Sequence, residues 1–298
     1  MTKQYARTFG QDLMRGEHVV GGGMTKSGTQ HQSTPPHGAS VKRAADGSLE
    51  YQESNGTSIF DPVLTELAYR WFSPEQGTIL DPFAGGSVRG IVASKLNRQY
   101  IGHELRAEQV EANRMQADAI CADDQYPPTW IHGDSRNIDR TCADVQADLL
   151  FSCPPYADLE VYSDDPKDLS TLPYKEFLES YREIIAKSAA LMKPDRFACF
   201  VVGDVRDKKG NYYNFVGDTV QAFIDAGLYY YNEAILVTAV GSLPIRVGKQ
   251  FSASRKLGKT HQNVLVFVKG SGKAAAEACG ECTFGEIEPA EEFGEVLT

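Results

Sequence analysis

The 298-residue chain has no apolar run near the roughly 18 to 20 residues needed to cross a bilayer. Its opening, Met1-Thr2-Lys3-Gln4-Tyr5, lacks the apolar stretch of a secretory signal. An intracellular, cytoplasmic protein without membrane contact is therefore expected. Cysteine is sparse: Cys121, Cys142, Cys153, Cys199, Cys279 and Cys282 are too scattered for a disulfide framework, so reduced thiols are expected. Cys279-Gly280-Glu281-Cys282 has half the spacing of a zinc site, but neither a second pair nor a nearby histidine completes it, so no metal is expected. Also missing are a glycine loop ending in Lys-Ser or Lys-Thr and a full Gly-x-Gly-x-x-Gly, which disfavours nucleoside triphosphates and dinucleotides.

Acid is absent between Glu233 and Glu277, a stretch holding Arg246, Lys249, Arg255, Lys256, Lys259, Lys269 and Lys273. Beyond Lys273 come only glutamates, from Glu277 to Glu295. The net charge of -10 thus hides a locally basic segment, because much of the acidity sits in the tail. A run of charge is also what an ordinary solvated surface shows.

Residues 21–56 are rich in Gly, Ser, Thr, Gln and Pro, including Gly21-Gly22-Gly23 and Ser33-Thr34-Pro35-Pro36, and read as loop without a core of its own. After Asp61-Pro62, Leu64, Leu67, Ala68 and Trp71 fall at helical spacing. Strands are expected at 78–82, 99–105, 129–132, 147–152, 197–203, 229–238 and 263–269, with helices at 88–96, 107–122, 174–192 and 215–226. Such alternation implies crossovers and a mostly parallel sheet covered on both faces.

Ile79-Leu80-Asp81-Pro82-Phe83-Ala84-Gly85-Gly86-Ser87 is an apolar strand ending in an acid, then a tight turn and two glycines that let a ligand approach the backbone. The next strand ends in Glu104, and the one after it is followed by Asp134. Three acids at three successive strand ends fit one nucleoside-type ligand lying across the sheet edge. Helix capping is the bland reading of each acid taken singly.

With this turn, and with Cys153-Pro154-Pro155-Tyr156 further on, residues 57–270 resemble the DNA amino-methyltransferases, which methylate adenine N6 or cytosine N4. The resemblance implies a seven-stranded Rossmann-like α/β sheet with helices on both faces, S-adenosylmethionine as cofactor and DNA as partner. It also implies that Ser58, Ile59, Phe60 and Asp61 help hold the methionine moiety. Asp81, Pro82, Phe83, Ala84, Gly85 and Gly86 would then line the cofactor, Glu104 hold its ribose and Asp134 face its adenine. A phage or restriction-modification setting enters by family association alone. About 70 residues separate the two motifs, which leaves no room for a recognition domain between them; with no large recognition domain in the N-terminal arm or the basic segment either, a short recognition site or weak sequence preference is expected.

In the family the second motif begins with Asp, Asn or Ser. That residue and a proline carbonyl accept hydrogen bonds from the target amine, and the aromatic stacks on a base extruded from the duplex. Cys153 departs from this pattern, since a thiol is a weak acceptor. It can be a small buried hydrophobe, a serine-like contact, or the nucleophile that cytosine C5 methylation requires, with Glu160 or Asp204 as the acid. Both functional readings favour cytosine, and the reading preferred from sequence is C5, with exocyclic amino methylation (cytosine N4 or adenine N6), an RNA methyltransferase or a decayed DNA-binding relative as alternatives. The segment 237–262 is expected to be a basic loop contacting DNA through Arg246, Lys249, Arg255, Lys256 and Lys259, with the 1–56 arm (Lys26, Lys42, Arg43) as a second candidate. Residues 271–298 are expected to be an acidic tail without ordered structure.

Overall fold

Pro62 stands at the first position of helix α1 (Pro62–Phe72), where its missing N–H leaves no bond unmade. The computed structural model describes residues 39–43, 49–53, 59–156, 163, 165–238 and 243–282, with the side chains of 39–43, 49–53 and 243–246 outside the description. The chain divides into two units, residues 1–61 with 285–298, and residues 62–284. In the smaller unit β1 (Ala39–Arg43) pairs antiparallel with β2 (Leu49–Glu53), Val41 opposite Tyr51. A hairpin therefore falls in the segment expected to be loop. Val and Tyr are residues that suit a pleated ribbon, and they outweigh the Gly and Ser around them.

The larger unit is built on β3 (Thr78–Asp81), β4 (Gln99–Glu104), β5 (Thr129–His132), β6 (Ala147–Ser152), β7 (Met192–Val202), β8 (Tyr229–Val237) and β9 (His261–Lys269). They form one seven-stranded mixed sheet in the order β5-β4-β3-β6-β7-β9-β8, with β9 antiparallel to both its neighbours. Between the strands lie α2 (Val88–Lys95), α3 (Ala107–Cys121), the single turn α4 (Ile138–Thr141), α5 (Tyr174–Ala190) and α6 (Phe215–Asp225). The period-2 alternation of strands divides these helices between the two faces. Phe151 of β6 and Phe197 of β7 meet Tyr69 and Phe72 of α1 edge-on. Leu150 and Phe200, on the opposite face, join Phe177 and Tyr181 of α5 and Phe223 of α6 in the main core cluster.

Helix α5 ends at Ala190, and β7 begins at Met192, earlier than the local pattern suggests. The cause is tertiary: Lys193 and Arg196 both pair with the Asp148 carboxylate, at 2.8 and 2.9 Å, which draws this stretch alongside β6. Two further segments differ from expectation. The basic stretch between β8 and β9 contains helix α7 (Leu243–Ser254), whose Leu243, Val247 and Phe251 stand at helical spacing. Residues expected to start the unstructured tail form α8 (Gly272–Cys279), capped where the Ser271 hydroxyl accepts from Ala274 N and anchored by the buried Ala275.

Candidate functional site

The strand order reverses beside β3: the chain runs outward through β4 and β5, then returns to place β6 on the other side of β3. Crevices at the carboxyl ends of strands at such a switch point are where open α/β sheets take ligands. Asp81 ends β3 there, fully buried. Its Oδ1 accepts from Ser152 Oγ at 2.5 Å and from Phe83 N at 3.1 Å, and its Oδ2 from Arg89 Nε at 2.6 Å and the Tyr100 hydroxyl at 2.8 Å. Arg89 Nη2 donates to the carbonyls of Phe83 and Ala84. Burial opposes the Arg89 charge, yet Asp81, together with Tyr100 and Cys153, raises the guanidinium above its ordinary range.

Asp81 thus braces the turn from inside, and its neighbours also turn inward. Pro82 is buried with its carbonyl taken by Ser135, Phe83 packs against Tyr181 and Phe200, and Ala84 is fully buried. Gly85 and Gly86 differ. A Cβ on either would meet open space, and Gly85 adopts φ +52°, which favours glycine. Bare backbone therefore faces the crevice just ahead of helix α2, where backbone N–H groups and the helix dipole suit a polar ligand.

Glu104, at the end of β4, reaches this backbone: its Oε2 accepts from Gly85 N at 2.9 Å and its Oε1 from Arg106 N at 2.9 Å. Burial raises its carboxyl above the ordinary range, against the opposing pull of the Arg106 N–H and charge. A chain of side chains closes the ring, from Arg106 to Gln109, from Gln109 to Asn113, and from the buried Asn113 to Gly85 O at 2.7 Å. Asp134 follows β5 and caps the next turn through Arg136 N. Burial would raise it, but the Arg136 side chain, 2.7 Å away, holds it low. Between these acids the buried His103 ties Ser135 to Thr141, and burial keeps its ring below the ordinary histidine range.

Ser152 ends β6, so its bond to Asp81 sets the Cys-Pro-Pro-Tyr motif directly beside the glycine turn. Cys153 is half-buried, with Sγ 3.8 Å from the Tyr156 hydroxyl. The Tyr156 ring packs edge-on to Phe215, and its hydroxyl accepts from Gln262 Nε2 at the start of β9. Pro154 is buried and Pro155 half-buried. Asp204, past the end of β7, accepts from Val216 N and lies 3.5 Å from Lys259 Nζ. Of the expected DNA contacts, Lys249 and Arg255 are exposed and Lys256 and Lys259 half-buried, while Arg246 lies on α7. Phe60 and Asp61 fall in the smaller unit, and Ser58 and Glu160 lie outside the described residues.

Arg89, Tyr100, Asn113, Ser152 and Gln262 were not foreseen from sequence. Tyr100, Asn113, Ser152 and Gln262 act through partners distant along the chain, and Arg89 reaches back across the turn to Asp81, so no local pattern marks them. Among the described residues no group of three or more His, Cys, Asp or Glu stands ready for a metal, and no helix is long and apolar enough to cross a membrane.

The sheet order, with the glycine turn and the acids at its strand ends, is that of a Rossmann-like α/β fold. Within it, residues 59–115 match the family model of N6/N4 methyltransferases described as DNA methylase. No curated protein sequence matches the chain. Among solved structures, TrmN from Thermus thermophilus is 13% identical over 74% of this chain and 56% of its own, with a TM-score of 0.48. The chain thus spans little more than half of that relative. Magnesium protoporphyrin IX methyltransferase from Synechocystis, with bound SAM, is 12% identical over 70% of this chain and 76% of its own, at 0.43. A TehB-like SAM-dependent methyltransferase from Corynebacterium glutamicum is 16% identical over 72% and 90%, at 0.42.

Proposed function

We propose that the chain methylates the exocyclic N4 amino group of a cytosine in DNA. The observation that carries this reading is the Ser152–Asp81 hydrogen bond, which joins the glycine turn to the Cys-Pro-Pro-Tyr motif on adjacent strands. The match of residues 59–115 to a DNA methylase model supports both the polymer and an amine target.

The crevice fits the cofactor because Gly85 and Gly86 present bare backbone to open space beside the Glu104 carboxylate. Glu104 is assigned the ribose diol and Asp134 the adenine. Asp81, Pro82, Phe83 and Ala84 shape the turn from within. Bound there, S-adenosylmethionine supplies an electrophilic methyl group. The motif itself orients the base: Tyr156 stacks on the extruded ring, and the Pro154 carbonyl accepts from the target amine, aided weakly by the Cys153 sulfur. Exposing the nitrogen lone pair to the methyl group is then a matter of position, and the amine proton leaves to solvent.

A second reading is favoured by the half-buried Cys153 sulfur beside the Tyr156 hydroxyl. Here the sulfur adds to cytosine C6, the methyl joins C5, and loss of the C5 proton expels the sulfur. A cysteine nucleophile works as thiolate. The match of residues 59–115 to a model of N6/N4 amino-methyltransferases places the C5 reading second. Mass spectrometry of nucleosides from DNA treated with the protein and S-adenosylmethionine distinguishes the two. N4-methylcytosine is expected, made also by Cys153→Ser. 5-Methylcytosine that Cys153→Ser cannot make would establish the second reading. N6-methyladenine, or no methylation despite bound cofactor, would overturn both.

A further inference from the structure

Between β7 and α6 the chain makes a turn, residues 204–213, that the reading above does not use. It is built to stand out rigidly. Arg206 and Tyr212 form a β-bridge, Tyr213 N donates to Val205 O at 3.0 Å, and Asp207 N donates to Asn211 O at 2.8 Å. The Asp207 carboxylate accepts from Asn211 N at 2.8 Å. The Arg206 guanidinium lies 3.8 Å over the Tyr212 ring and donates to Gly210 O at 2.8 Å. At the tip, Lys208 and Lys209 are exposed.

Two contacts join this turn to the basic segment ahead of β9. The Lys256 side chain occupies the space a Cβ on Gly210 would need, with Gly210 at φ +91°. Lys259 Nζ lies 3.5 Å from Asp204 Oδ2. The same edge carries the target motif, because Gln262 donates to the Tyr156 hydroxyl and sits 3.8 Å from where a Cβ on Gly203 would stand. Two stretches far apart in sequence therefore make one cationic rim beside Tyr156. Arg206, Lys208, Lys209, Arg255, Lys256 and Lys259 face two carboxylates, in a chain whose net charge is -10. Lys208 and Lys209 are exposed at the tip, and the hydrogen-bonded turn orders their backbone without the entropy cost of a mobile loop.

We infer that the 204–213 turn is a DNA-backbone contact, with Lys208 and Lys209 neutralising phosphates next to the extruded base. The inference rests on the DNA reading above. Phosphate contacts position a protein on the duplex and make binding salt-dependent, each one steepening the plot of log affinity against log salt by about 0.9. The test is duplex DNA binding by fluorescence anisotropy across salt concentrations, for the intact protein, the double variant Lys208→Gln with Lys209→Gln, and the double variant with Arg at both positions. The Gln pair should flatten the slope by about 1.8 and weaken binding roughly tenfold or more near 0.1 M salt, and the Arg pair should restore both. Cofactor affinity and Tm should not change, since neither lysine touches the crevice or the core. An intact protein that methylates DNA, with a slope the Gln pair leaves unchanged, would overturn the inference alone. An intact protein that binds no DNA, or binds and methylates RNA instead, would overturn the DNA reading and the inference with it.

Discussion

Glu104 answers two demands that pull its carboxyl in opposite directions. Burial raises it, favouring the protonated form, while the Gly85 and Arg106 N–H groups and the assigned ribose need the carboxylate. For an acid raised on folding, ionisation costs stability as pH climbs. The same ionisation strengthens cofactor binding, because hydrogen bonds to a charged acceptor contribute about 1.5–3 kcal/mol. Glu104→Gln should therefore weaken cofactor affinity roughly tenfold or more at pH 8 by calorimetry. In the unaltered protein affinity should fall as pH drops towards the raised carboxyl value, and in the Gln variant that dependence should disappear. A variant with unchanged affinity would remove Glu104 from the cofactor site. The candidacy of Glu104 was legible from its place at a strand end. The inward turn of Asp81 was not, because its four partners come from Phe83, Arg89, Tyr100 and Ser152 on separate elements.

Among the elements, α8 shows most clearly how tertiary contact overrides composition. The stretch Gly272–Cys279 is alanine-rich and leads into the glutamates, but Ala275 is fully buried and Ser271 N donates to Asp195 Oδ1 at 2.7 Å. Cys282 Sγ also reaches Arg70 O of α1 at 3.6 Å. A chain ended after Gly270 should lose about 1–2 kcal/mol, from one cap and one small buried side chain, and its Tm should drop by about 2–8 °C. Ending it after Phe284 keeps these contacts and should leave Tm above that of the shorter truncation. Equal Tm values for the two truncations would show that α8 contributes nothing to the fold. Helix α7 tells a similar story: its apolar spacing was present, but the glycine, serine and basic residues around it favoured a loop reading.

For the whole molecule, pH response follows from where the sheet buries its polar groups. His103 is held low by burial, while Asp134 and Asp148 are held low by Arg136 and by Lys193 with Arg196, against the opposing effect of burial. A group depressed on folding contributes stability that is present above its unfolded value and is lost as pH falls through its folded value. Unfolding followed from pH 8 downwards should thus show two losses, one beginning near the ordinary histidine value of 6.5 and another below the ordinary aspartate value of 3.8. His103→Gln should remove the first and spare the second. A Tm profile between pH 8 and 5 that His103→Gln leaves unchanged would contradict a buried neutral His103.

By itself the sequence determined the strand and helix alternation, the glycine turn, the strand-end acids and the Pro-Pro-Tyr platform. These are local features, set by side-chain period, glycine conformation and proline geometry within a few residues. Only the tertiary structure decided which of them meet. Asp81 and Ser152 lie 71 residues apart and Gln262 and Tyr156 lie 106 apart, yet each pair shares a hydrogen bond. The physical reason is strand order: the reversal beside β3 and the antiparallel insertion of β9 are set by how the whole sheet buries its faces, which no local period encodes.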